Sequence, residues 1–111
     1  MRLFVYGTLL DPRILAERSG EPALALRMRP ATLGGWRRMA GKDGRYPTLV
    51  RDRAGRVDGA VLIASAAALR RLQAYEGPGY HLVRVLAEAR SGMVPAHAWI
   101  GGAASPRTWR P

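Results

Sequence analysis

The chain has 111 residues and a formal net charge of +10. This length supports one hydrophobic core, so we expect a single domain over residues 1–111. The absence of cysteine excludes disulfides, thiolate metal sites and a cysteine nucleophile, and two histidines without a metal-binding spacing do not predict a zinc site. We therefore expect a protein that works without metal or cofactor.

The positive charge is spread along the chain. Of the 18 basic residues 17 are arginine, and they run from Arg2 to Arg110 without forming one dense block. This pattern makes a specific nucleic-acid partner unlikely and fits a basic surface with an anionic small-molecule substrate better. Because no signal peptide and no apolar run of about 18 residues is present, we expect a soluble, cytoplasmic protein without a membrane partner. We also expect it to be a monomer.

The N-terminal stretch predicts a strand, a break and a helix in close succession. Leu3–Tyr6 is apolar and aromatic, which favours a buried strand, and Gly7 interrupts it. Asp11 before Pro12 is a helix start, which predicts a helix to about Arg18. The N–H groups of residues 7 to 10 would then be free to bind an anionic or carbonyl oxygen. The alternative is a tight connection that binds nothing.

Several short strands are predicted in the middle of the chain. Residues 31–36 form a strand bent at Gly34–Gly35, residues 41–44 a turn, and residues 46–50 and 57–63 two further strands. Residues 51–56, which include three arginines, are predicted as a charged loop at a hairpin tip. Residues 23–28 fit no class.

The C-terminal part predicts a helix and a hairpin. Ser65 caps a helix over residues 66–75, and residues 80–87 and 94–100 alternate as two strands around a turn at Ser91–Gly92. The tail beyond Gly101 is expected to be loose except where Trp109 packs. Five to six strands with two flanking helices give an α+β domain, and closure into a small mixed β-barrel would remove the exposed strand edges.

Glu76 is a carboxylate in an unfavourable position. It continues the apolar stripe of Leu69 and Leu72 at i, i+3 and i+7, and it lies at the helix C-terminus, where the macrodipole disfavours negative charge. Partial burial would raise its pKa and make it a usable proton acceptor and donor. The alternative is an exposed glutamate at a frayed helix end.

The sequence resembles the γ-glutamylcyclotransferase-like family over nearly its whole length. The motifs that carry the resemblance are Tyr6-Gly7-Thr8-Leu9, Tyr46-Pro47, Val57-Asp58-Gly59 and Leu72-Gln73-Ala74-Tyr75-Glu76-Gly77, followed by Tyr80. The family has a small mixed β-barrel with flanking helices and releases 5-oxoproline from γ-glutamyl compounds. The resemblance implies that Glu76 is the proton acceptor, that residues 6 to 9 hold the γ-glutamyl part of the substrate, and that no cofactor is needed.

Two positions depart from the family pattern. The family usually has Asp where this chain has Gln73, and often Arg where this chain has Leu82. These departures do not remove the proposed base, but the identity of the leaving amine stays undetermined. Arg84 lies on the same strand face as Leu82 but too far along the strand to be a substitute.

Other polar side chains are weaker candidates. Tyr80 is expected in the pocket wall, and Thr8 as a hydroxyl donor without a general base beside it. His81 and His97 are expected at the surface or the edge of the core. Two other functions stay open, a non-catalytic barrel that binds a small ligand or protein and a basic nucleic-acid-binding module.

Overall fold

The computed structural model describes residues 1–40 and 47–101. Within these residues the fold is α+β, with five strands in a closed barrel and helices on its outside. The strands are β1 (Arg2–Val5), β2 (Arg29–Ala40), β3 (Pro47–Ile63), β4 (Tyr80–Ala89) and β5 (Gly92–Gly101). The α-helices are α1 (Pro12–Ser19) and α2 (Ala66–Glu76), and short 3₁₀ helices cover Thr8–Leu10 and Pro22–Arg27. The predicted fold class, a small mixed barrel with flanking helices, is confirmed.

The strand order around the barrel is β1-β3-β2-β4-β5. All neighbouring pairs are antiparallel except β1 and β5, which run parallel with Leu3 beside His97 and close the barrel. The ends of β1 and β5 therefore share one end of the barrel with the starts of β3 and β4. We call this end the top, and the end with Arg2, Arg29 and Ile63 the bottom.

Both α-helices begin where the sequence predicts. The Asp11 side chain accepts a hydrogen bond from the Arg13 N–H at 2.9 Å, and the Ser65 hydroxyl accepts from the Ala68 N–H at 3.1 Å. Each cap satisfies an N–H group that has no partner inside its helix. Helix α2 ends when the Gly77 N–H donates to the Gln73 carbonyl oxygen at 3.0 Å, which fixes the position of Glu76 in the last turn.

The prediction of a charged loop and hairpin tip at residues 51–56 is wrong. These residues belong to the 17-residue strand β3, and the ladder with β2 shifts register between Gly34 and Trp36. The bend predicted at Gly34–Gly35 coincides with this irregularity of the ladder, and both strands continue through it. Charged residues occur there because this part of β3 faces solvent, and the Arg51 guanidinium stacks 4.3 Å from the centre of the Trp36 ring.

The segment at residues 23–28 that fitted no class lies mostly in the 3₁₀ helix Pro22–Arg27, which buries Leu24. The predicted turn at 41–44, the residue Tyr46 and the tail with Trp109 lie outside the described residues.

The barrel wall separates two apolar clusters. One cluster fills the barrel, and its members include Phe4, Leu33, Val57, Ala87 and Ala98. The other packs α1 and α2 against the outside of the wall, and its members include Leu3, Leu15, Leu24, Leu72 and Trp99. None of the helices in the described part of the chain has the length and apolar character needed to cross a membrane.

Candidate active site

A small pocket with a cavity volume of about 20 Å³ lies at the top of the barrel. Its walls come from the end of β1 and the turn after it, the start of β3, the end of α2 and the end of β5. The lining residues are Phe4, Val5, Tyr6, Gly7, Thr8, Leu9, Pro47, Glu76 and Trp99. This volume has room for about one water molecule.

The turn after β1 forms one wall of the pocket. The N–H groups of Leu10 and Asp11 donate to the carbonyl oxygens of Gly7 and Thr8 at 3.0 and 3.1 Å, so Leu10 does not offer the free donor that the sequence predicted. The N–H groups of Gly7, Thr8 and Leu9 donate to no backbone carbonyl oxygen among residues 1–40 and 47–101. Within the described part of the chain, three adjacent donors thus remain in a pocket wall.

Glycine is required at position 7 because Pro47, at the start of β3, lies close to its backbone. A Cβ atom at this position would lie 2.7 Å from the Cγ of Pro47, closer than real Cβ contacts allow. The missing side chain therefore lets β3 begin directly against the turn, and it keeps the backbone of residue 7 accessible from the pocket.

Glu76 faces the same pocket from the end of α2. Burial raises the pKa of this carboxyl group from 4.5 to about 7, because a charged carboxylate loses hydration that the apolar surroundings do not replace. The sequence placed Glu76 on the buried stripe, and the structure places it in one pocket with the turn at residues 7 to 9. A group with this pKa can take up and release a proton near neutral pH.

Tyr6 forms part of the pocket floor through its buried ring. Its hydroxyl donates to the carbonyl oxygen of Trp99 and lies 3.5 Å from that of Pro47, so it joins β1 to β5 and β3. Burial, with a smaller contribution from the charge of Glu76, raises the pKa of the Tyr6 hydroxyl well above its ordinary range. Tyr6 is therefore a neutral hydrogen-bond donor in this site.

Thr8 is connected to the helix that carries Glu76. The Thr8 hydroxyl and the Tyr75 hydroxyl are 2.8 Å apart, within hydrogen-bond distance. The guanidinium of Arg18 lies 5.1 Å from the centre of the Tyr75 ring, a cation–π contact. These contacts fix the turn at residues 7 to 9 relative to the last turn of α2.

Gln73 connects the last turn of α2 to two strands. Its side-chain oxygen accepts a hydrogen bond from the Trp99 indole N–H at 2.7 Å, and its side-chain nitrogen donates to the carbonyl oxygens of Tyr80 at 3.0 Å and Gly77 at 3.3 Å. An aspartate in its place would accept but could not donate. Gln73, where this chain departs from the family pattern, therefore makes hydrogen bonds that an aspartate could not all replace.

Tyr80 does not line the pocket, although it was expected in the wall. Its hydroxyl donates to the carbonyl oxygen of Pro47 at 3.1 Å, one residue removed from the ligand space. Leu82 packs against the outer apolar cluster, and Arg84 lies beside Trp36 in a different groove, so neither contributes to the site. His81 is exposed and His97 half-buried, away from the pocket.

Four lining residues were not singled out as site residues from the sequence: Phe4, Val5, Pro47 and Trp99. Pro47 was only part of a motif, and Trp99 lies near the end of a strand whose position beside β1 could not be deduced without the barrel closure. The parallel pairing of β1 and β5 brings Trp99 to the top of the barrel. A prediction of that pairing would have identified it.

The described residues thus form a closed barrel in which a partly buried carboxylate lines the same pocket as the turn at residues 7 to 9. The profile of the family described as gamma-glutamyl cyclotransferase, AIG2-like matches residues 3–109. The chain belongs to this family. A comparison with curated proteins gave no match.

Solved structures support the same fold. Two Arabidopsis thaliana proteins known from solution structures share 28% and 30% sequence identity with this chain, with TM-scores of 0.75 and 0.76. The aligned regions cover 95% and 90% of this chain and 71% and 61% of those proteins. A structure described as gamma-glutamyl cyclotransferase is 17% identical at a TM-score of 0.77, covering 95% of this chain and 68% of that one. The chain thus spans roughly two thirds of the length of these relatives.

Proposed function

We propose that this protein is a cyclotransferase that converts a γ-glutamyl compound into 5-oxoproline and a free amine or amino acid. The proposal is supported by family membership and by the chemistry of the pocket at the top of the barrel. The observation on which it depends most is that Glu76, with a pKa of about 7, lines the same pocket as the backbone of residues 7 to 9.

In the proposed reaction the α-amine of the γ-glutamyl group attacks its own γ-carbonyl carbon. A carbon–nitrogen bond forms in the five-membered ring, and the bond from that carbon to the leaving amine breaks. The α-ammonium group loses two protons overall, and the leaving nitrogen gains two. Glu76 takes up a proton from the attacking nitrogen and transfers it to the leaving one, and repeats this for the second proton.

The backbone of the turn at residues 7 to 9 provides N–H groups that can bind oxygen atoms of the substrate during this proton transfer. The N–H groups of Gly7, Thr8 and Leu9, for which the described residues provide no backbone acceptor, are suited to stabilise the oxyanion that develops on the γ-carbonyl oxygen, or to hold the substrate α-carboxylate. Ring closure also requires the substrate to be folded so that its amine faces the carbonyl. The Thr8 hydroxyl can assist in holding the substrate, and the neutral Tyr6 hydroxyl, which donates its hydrogen to Trp99, can accept a hydrogen bond from it.

Product analysis with a panel of substrates tests this proposal. The purified protein is incubated with γ-glutamyl amino acids, γ-glutamyl-ε-lysine and other γ-glutamyl amines, without added metal. We expect equal amounts of 5-oxoproline and free amine from at least one substrate. If a folded protein releases no 5-oxoproline from the whole panel, the proposal is wrong, and binding measured with the same compounds then shows whether the pocket binds ligands without turnover.

A further inference from the structure

A second concave surface lies at the bottom of the barrel, opposite the candidate active site. It is a groove of about 740 Å³ that is open to solvent. Its residues come from the bottom ends of the strands and from the segment before β2. They are Arg2, Arg27, Arg29, Pro30, Val61, Leu62, Ile63, Ala89, Arg90, Ser91 and Val94. We call this surface the basic groove.

The basic groove combines four guanidinium groups with no carboxylate among its lining residues. The ion pairs found in the described part of the chain, Arg13 with Asp11 and Arg37 with Asp52, are elsewhere. Glu88 precedes the lining residue Ala89, but consecutive strand residues face opposite sides of a sheet. The groove therefore has positive charge that the described residues do not neutralise.

The four arginines have different roles. Arg2 donates to the Pro95 carbonyl oxygen at 3.4 Å, and Arg29 donates to the carbonyl oxygens of Leu26 and Met28 at 3.2 and 3.1 Å. Arg27 and Arg90 are exposed and have no hydrogen bond or ion pair with the residues that the structure describes. Their guanidinium groups are available to an anionic partner.

Apolar side chains are also exposed at this end. Ile63 lines the groove and is 58% exposed, and Leu26 and Met93, adjacent in sequence to Arg27 and Val94, are 80% and 55% exposed. Most of the large apolar side chains that the described residues leave exposed are thus at the bottom of the barrel. Exposed apolar surface next to unpaired charge is typical of an interaction site.

We propose that the basic groove binds a polypeptide segment in which acidic and apolar side chains alternate. The guanidinium groups of Arg27 and Arg90 bind carboxylates, and the apolar floor with Ile63 takes the side chains between them. The concave shape favours a segment of chain over a flat lipid surface. A symmetric dimer through this groove is disfavoured because it would bring two sets of four guanidinium groups together. This inference does not depend on the proposed enzymatic function.

Fluorescence anisotropy tests the proposal with the whole chain. The probes are labelled peptides that alternate Glu with Leu, Glu with Phe, or Asp with Val, and a Lys–Leu peptide of equal length is the control. We expect at least one acidic peptide to bind, more weakly as salt increases, and the Lys–Leu peptide not to bind. Because two charge-assisted contacts are lost, Arg27→Gln with Arg90→Gln should weaken binding about tenfold or more.

Matched variants separate a specific groove from general positive charge. Arg53→Gln with Arg56→Gln removes the same charge from exposed positions on β3 outside the groove, and should change the affinity by less than about twofold, since only long-range attraction is lost. Ile63→Thr should weaken the acidic peptides without changing the salt dependence. Equal losses in the two arginine pairs would overturn the proposal, as would failure of all acidic peptides to bind the folded wild type.

The other possible occupants give distinct results. Vesicles containing phosphatidylglycerol are tested by co-sedimentation, and self-association by analytical ultracentrifugation over a range of concentrations. Binding to vesicles in the absence of peptide binding would assign the groove to a membrane surface and contradict the proposal. Self-association abolished by the Arg27 and Arg90 substitutions would assign it to a second copy and also contradict it.

Discussion

Glu76→Gln is expected to reduce the rate of 5-oxoproline release by a factor of ~10² to 10⁴, the usual contribution of a well-placed general base. Glutamine is nearly the same size and still forms hydrogen bonds, but it cannot exchange a proton near neutral pH. The substitution should therefore lower kcat and leave KM within about threefold of the wild-type value, because only a transition-state interaction is lost. Steady-state kinetics on the best substrate of the panel measures both constants.

Glu17→Gln is the matched control for this substitution. Glu17 is an exposed carboxylate on α1, so the same chemical change there should leave kcat and KM unaltered. Unchanged turnover in the Glu76 variant would remove this residue from the mechanism even if the reaction itself is real.

Glu76→Gln is also expected to be more stable than the wild type at alkaline pH. The folded-state pKa of Glu76, about 7, lies above its ordinary value of 4.5, so the folded protein binds the proton more tightly than the unfolded chain does. This stabilisation is fully present below pH 4.5 and is lost as the pH rises through 7. The free energy of unfolding of Glu76→Gln, relative to wild type, should therefore increase by up to about 3 kcal/mol between pH 5 and pH 8. Urea unfolding at both pH values also shows whether a loss of activity results from unfolding.

Gln73→Leu is expected to destabilise the protein by roughly 2 to 4 kcal/mol. The substitution removes three hydrogen bonds and leaves the Trp99 indole N–H and the carbonyl oxygen of Tyr80 without this partner. Because Gln73 lies one turn before Glu76, turnover should also fall, by ~10²-fold if the carboxylate moves by about 1 Å. Urea unfolding and kinetics on the same preparation measure the two effects.

Two further substitutions on α2 define the role of Gln73. Arg70→Leu, at an exposed position of the same helix, should change neither stability nor kcat substantially. Gln73→Glu keeps the acceptor for Trp99 but loses both donated hydrogen bonds and places a second carboxylate near Glu76. We expect this second carboxylate to raise the pKa of Glu76 further. The midpoint of the acidic limb of the pH–activity profile should then move to higher pH. An unshifted profile would restrict Gln73 to a structural role.

Local chemistry made much of the fold predictable. The starts of α1 and α2 followed from Asp11 and Ser65, whose side chains accept the N–H groups that a helix start leaves free. The irregularity of β2 at Gly34–Gly35 followed from the adjacent glycines. Residues 51–56 were misassigned because charge together with glycine is common in loops, whereas here it belongs to the solvent-exposed part of a long strand.

Contacts between distant segments were not predictable from the sequence. The order β1-β3-β2-β4-β5 and the parallel closure of β1 on β5 depend on how the whole barrel packs, and they bring Trp99 into the pocket. Glu76 could be identified because a carboxylate on an apolar stripe conflicts with local preference, and such conflicts are frequent at functional sites. Gln73 was noticed only as a departure from a family pattern, since its three partners lie on other parts of the fold.

The pH dependence of kcat/KM for 5-oxoproline release tests the central claim, a buried Glu76 acting as the base, most directly. This constant reports the titration of the free enzyme, and the α-ammonium group of the substrate determines only the alkaline side. Burial of Glu76 predicts that activity rises with pH to a plateau with a midpoint near 7. A rise with a midpoint near 4.5, or activity independent of pH on the acidic side, would contradict the account.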